Sequence, residues 1–140
     1  EFIDQEFSDY MTLMNSRGVT TVKEMGFDDF YGFTEYLKEM EENDRLRMRI
    51  HFMSQPVGAP MNLPYARKMR DQFTGDKVRF SGFNRMTDGT IASGKGELKE
   101  AYTGKDYICT ENIPWEEIEA DVLKADEEGF RWSLHAQGCG

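Results

Sequence analysis

The chain has 140 residues, enough for one domain with a sizeable core and too few for a complete eight-stranded α/β barrel. Its 26 Asp and Glu against 17 Lys and Arg give a formal net charge of −9 with no basic block, which argues against a nucleic-acid partner. No apolar run approaches the roughly 20 residues of a membrane helix and no basic-then-apolar leader opens the chain, so no membrane and a cytoplasmic location are expected.

Taken in order, the chain reads as helices alternating with strands. Ile3, Phe7, Tyr10 and Met14 recur at helical spacing between Glu1 and Arg17, and Gly18 stands where a left-handed cap ends such a helix. The β-branched Val19, Thr20, Thr21 and Val22 of "GVTTVKEMG" predict a short buried strand. Phe30, Phe33, Leu37 and Met40 form the next apolar stripe. In "LRMRIHFM" the apolar Leu46, Met48, Ile50 and Phe52 alternate with Arg47, Arg49 and His51, the clearest period-two run in the chain.

"NLPYARKMRDQF" predicts a helix capped by Asn62, with Pro64 in its first turn and Gly75 at its end. "KVRFSGFNRMTDG" predicts a third strand, and the Gly-rich stretch from Gly89 to about Pro114 is a long loop or a small excursion. In "PWEEIEADVLKADEEG", Trp115, Ile118, Val122 and Ala125 share one helix face, with acids in the first turn and Gly129 at the end. "FRWSLHAQG" predicts a fourth strand. This order implies an α/β fold with about four parallel strands and intervening helices, forming a single domain or a piece of one over residues 1–140.

Parallel α/β folds place their chemistry after the C-terminal ends of strands, here "KEMG", "FMSQP", "NRMTDGT" and "HAQG". His135 ends its strand on the face it shares with Arg131 and Ser133, where a neutral imidazole could coordinate a divalent ion or serve as an ordinary strand residue. Asp88 precedes Gly89 in a sharp turn that favours a backbone cap, and Arg85 could hold a substrate carboxylate or be solvated. His51, which alternates with Arg47 and Arg49, reads as a hydrogen-bonded strand residue rather than a ligand. Cys109 and Cys139 lie outside any CxxC pair, fit a reducing compartment, and have no spacing that marks a nucleophile. No Walker loop, GxGxxG, HExxH or GxSxG motif occurs.

Together, "GVTTVKEMG", "LRMRIHFM", "GFNRMTDGTIASGKGELKEAYTG" and "ADEEGFRWSLHAQG", in that order and spacing, resemble the central portion of the amidohydrolase family 3 enzymes. The resemblance implies a partial (β/α)8 TIM barrel, approximately strands two to five, from an enzyme that hydrolyses C–N bonds of small amide substrates with metal-activated water. It places His135 at a metal-ligand position, makes zinc the expected divalent metal, and puts Asn84, Arg85 and Asp88 in the region that meets substrate. The family's carbamylated lysine falls on Asn84, which cannot form a carbamate, and Cys139 replaces the aspartate of "HAIGD".

The family's HxH pair would lie before Glu1 and its later histidine and aspartate beyond Gly140, so the chain is expected to be a fragment that is inactive alone and carries no complete catalytic set. Half a barrel has open sheet edges, and the expected partners are the remainder of the barrel or a second copy. The alternative is a non-catalytic α/β binding or interaction domain that keeps the scaffold without the metal site.

Overall fold

A computed structural model of the chain describes residues 2–26, 32–55, 60–109 and 113–139. Helix α1 (Phe2–Ser16) leads to strand β1 (Thr21–Glu24), then α2 (Phe33–Glu42), β2 (Arg49–Ser54), α3 (Leu63–Gln72), β3 (Val78–Met86), α4 (Trp115–Glu127) and β4 (Arg131–His135). The strands form one parallel sheet in the order β1-β2-β3-β4, as four consecutive staves of a (β/α)8 barrel would. The expected α/β class with four parallel strands and intervening helices is therefore what the structure shows. Among the described residues no helix is long and apolar enough to cross a membrane.

The chain divides into two compact units, residues 1–54 with 62–81, and residues 55–61 with 82–140. The first is built on Ile50 and Phe52 of β2, buried with Met11, Leu37, Met40, Met69, Phe73 and Val78. Phe52 meets Phe73 and Phe80 edge to face, with ring centroids 5.4 and 5.3 Å apart. The α1 stripe is rotated from its expected position: Met11 is the buried residue, flanked by Phe7 and Met14, while Ile3 and Tyr10 are exposed. Spacings of four and three from Phe7 to Met11 to Met14 serve a helix face as well as those of the expected line, and packing decides between them. Phe30 lies outside the described residues.

Strand β2 starts three residues later than its alternation suggests. Leu46 and Met48 are buried, yet they belong to the approach from α2 rather than to the ladder. Helix α3 is capped as expected, with Asn62 Oδ1 accepting the Tyr65 N–H at 3.0 Å, but it ends at Phe73 rather than Gly75. Gly75 has a different use: a Cβ there would run into the Glu41 carboxylate, which accepts the N–H groups of Lys77 and Val78 at 2.8 and 2.9 Å and anchors the start of β3.

The second unit packs Phe83 of β3 against Phe130 and Trp132, with Ile118 and Ala125 of α4 buried. Trp115 departs from expectation, since it is exposed at the helix N-terminus instead of sharing the buried face.

In the first unit the even-numbered Val78 and Phe80 of β3 pack with the helix-side core. In the second unit the odd-numbered Phe83 packs on Phe130, and Arg85 bonds Asp121 of α4. Gly82 has φ +134°, a backbone state that side-chain-bearing residues rarely adopt. Asn84 and Met86 lie on the face opposite α4, in register with Ser133 and His135.

Candidate functional site

The candidate site is the C-terminal end of the β3–β4 pair and the loops that follow it. Met86 is paired with His135, and the His135 carbonyl accepts the Thr87 N–H at 2.9 Å, so the two strands leave the sheet together. The exposed His135 side chain shares its face with Ser133 and, on the neighbouring strand, with Asn84 and Met86. Gln137 Nε2 lies 3.1 Å from His135 Nε2.

Asn84 is 2% exposed, and its Nδ2 donates to Gln55 Oε1 at 3.2 Å. Its Oδ1 is buried with no hydrogen-bond partner among the described residues. A buried acceptor left unsatisfied costs free energy, which makes Asn84 the residue here best placed to accept a bond from a bound group.

Asp88 is buried, and its carboxylate is fully engaged. Oδ1 accepts the Gln137 N–H at 2.8 Å, while Oδ2 accepts those of Glu97 and Gly138 at 3.0 and 2.6 Å. The bond from Gln137, followed by those from Glu97 and Gly138 and by the nearby His135, holds the carboxyl below its ordinary range against the opposing effect of burial. Asp88 therefore ties the loop after β3 to the loop after β4. Gly138 permits this closure, because a Cβ there would collide with the Glu97 carbonyl.

Arg85 points to α4, where its guanidinium bonds Asp121 at 2.6 Å and Glu117 at 2.7 Å. Its side chain is 12% exposed, against 22% for Asp121 and 54% for Glu117. Replacing Arg85 by Met should lower stability by about 2 kcal/mol, mainly by stranding Asp121, because a rim pair such as that with Glu117 contributes little. Urea unfolding of R85M beside E117Q checks the division: only the first should move the midpoint appreciably.

Cys139 is exposed and Cys109 buried, both as free thiols. A small cavity of about 60 Å³ lies beside Asp88, bordered by Thr87, Glu97, Trp115, Ala136 and Gly138. A larger cavity of about 270 Å³ in the first unit is walled by Phe7, Tyr10, Tyr36 and Ile50, and includes none of the candidate site residues.

Among the described residues no group of three or more His, Cys, Asp or Glu could hold a metal ion. One imidazole falls short of the three protein ligands a catalytic site takes, so these residues do not by themselves fit a metal centre. The sequence marked His135, Asn84, Arg85 and Asp88. It gave no sign of Gln55, Gln137 or Glu97, because their roles come from loops brought together only by folding.

No family model matches the sequence, and no curated protein matches it. Among solved structures, the chain resembles an uncharacterized metal-dependent hydrolase from Pyrococcus furiosus with a TM-score of 0.74 at 22% identity, covering 96% of this chain and 28% of that one. It also resembles an uncharacterized metal-dependent hydrolase from Pyrococcus horikoshii OT3, with a TM-score of 0.72 at 18% identity, covering 94% of this chain and 26% of that one. The chain thus spans about a quarter of the length of these two structures, and shares the fold of that portion.

Proposed function

We propose that the chain is a part of a metal-dependent hydrolase of the amidohydrolase type, acting on C–N bonds of a small substrate, and that it is inactive alone. The observation that carries this reading is that His135, at the end of β4, shares a sheet face with the buried, unsatisfied Asn84 of the adjacent strand, two positions from its own partner Met86. The fold shared with part of two metal-dependent hydrolases supports it.

In this reading His135 supplies one ligand to a divalent ion, zinc by the resemblance to the amidohydrolases, since an imidazole also suits iron, nickel or copper, and the remaining ligands come from strands outside this chain. A metal at Nε2 would displace the Gln137 side chain from that nitrogen. Asn84 accepts a hydrogen bond from the substrate, Asp88 positions the loops that border it, and Arg85 fixes β3 against α4. The sheet edges at β1 and β4 are where the remainder of the barrel, or a second copy, would pair. The chain acts as one structural piece of that barrel.

Metal content across a size-exclusion peak, with mass from light scattering, tests this. The chain alone should carry no stoichiometric zinc. In a longer polypeptide with the completing strands, His135→Ala should abolish both bound metal and amide hydrolysis. Full metal content and activity in that variant would overturn the assignment.

A further inference from the structure

Asp88–Gly89 is the only Asp–Gly step in the chain, and there is no Asn–Gly step. Such a step is where a polypeptide rearranges most readily, because glycine leaves its own nitrogen unhindered. That nitrogen attacks the aspartate Cγ, water leaves, and a five-membered succinimide closes. Water then reopens the ring. Attack at Cγ restores aspartate, whereas attack at the α-carbonyl leaves the main chain running through Cβ and Cγ as an isoaspartate. One water leaves and one returns, so no other reactant is needed.

The fold both requires this step and blocks its reaction. Position 88 must accept the N–H groups of Glu97, Gln137 and Gly138, and position 89 must be glycine, because a Cβ there would run into Lys95 Cβ, which the loop backbone fixes in place. The reacting atoms are held apart. The Gly89 N–H donates to the Lys95 carbonyl at 2.9 Å, and the Lys95 N–H returns to the Thr90 carbonyl at 3.1 Å, so the loop is closed on itself. Ring closure would draw the Asp88 carboxyl carbon onto the Gly89 nitrogen, which three bonds to main-chain groups of the two loops resist.

We propose that Asp88–Gly89 is a latent isoaspartate site, protected while the clamp is shut and converted when the loops after β3 and β4 part. Conversion makes the parting permanent. An isoaspartate adds a methylene to the main chain and shortens the side chain by one carbon, so its carboxylate no longer reaches the N–H groups of Glu97, Gln137 and Gly138 together. The clamp then opens in one direction only. The inference stands on the clamp geometry and is independent of the hydrolase reading.

Incubation of the full chain at neutral pH, in buffer and in denaturing urea, tests it, with isoaspartate at residue 88 measured by isoaspartyl methyltransferase labelling and peptide mapping. Conversion in buffer should be slower than in urea on the order of tenfold or more, since only the open fraction reacts. Gly138→Ala keeps the Asp–Gly step but drives a Cβ into the Glu97 carbonyl, and should bring the rate in buffer towards that in urea. Deamidation at Asn15–Ser16, at the end of α1 in the other unit, should not change in G138A. Circular dichroism establishes that G138A is folded, and the comparison of buffer with urea stands on wild type alone. Equal wild-type rates in buffer and urea, a folded G138A that converts no faster than wild type, or equal acceleration at Asn15–Ser16 would each overturn the proposal.

Discussion

Gly82→Ala is expected to destabilise the chain by about 3 to 5 kcal/mol, a large share of the stability of an ordinary domain. Two costs combine. Gly82 holds φ +134°, where an alanine is strained in any surroundings, and its Cβ would be driven into the backbone of Arg131, the residue with which Gly82 opens the β3–β4 ladder. Neither cost can be relieved by a side-chain rotation, because the obstacle is main chain.

The loss should be local in origin. Amide exchange in β4 at Trp132 and Leu134 should accelerate more than in β2 at Ile50 and Phe52, which lie in the other unit. Ser81→Ala, at the neighbouring position, should be nearly neutral. An unchanged urea midpoint for G82A would show that the close approach of β3 to Arg131 does not require glycine.

Asp88→Asn should loosen the site without emptying it. The amide keeps the volume but replaces one acceptor oxygen by an NH2 group, which then faces the N–H of Gln137 or those of Glu97 and Gly138. Exchange of these three amides should speed up on the order of tenfold or more. The variant should also behave differently in acid. Because the Asp88 carboxyl is held below its ordinary range, its contribution is complete above that range, at neutral pH, and is lost as pH falls through the lowered folded-state value. Wild type should therefore lose more stability on the acid side than D88N does. Parallel acid profiles for the two proteins would mean that the clamp contributes nothing on protonation.

Legibility varied with the range of the interaction involved. The Asn62 cap, the α3 helix and the alternation of Ile50 and Phe52 could be read because each depends on neighbours a few residues away. Asp88 was legible as a residue that binds backbone N–H groups, yet two of its three donors come from residues 137 and 138, some fifty positions on. Arg85 was singled out as a residue that could hold a substrate group, and the structure gives its guanidinium to α4. Its partners Asp121 and Glu117 were visible only as part of an acidic helix.

What the sequence by itself determined was the alternation of helices and strands, the α/β class, and the strand end on which His135 lies. These follow from apolar periodicity, capping residues and glycines, which act over one or two turns of chain. The tertiary structure alone decided that Met11 rather than Ile3 or Tyr10 is buried, that Gly82 takes φ +134° against Arg131, and that Asn84 carries an unsatisfied oxygen. The physical reason is that a pattern of period two or 3.6 fixes which residues share a face, whereas register, bulges and close approaches between distant segments fix what that face meets.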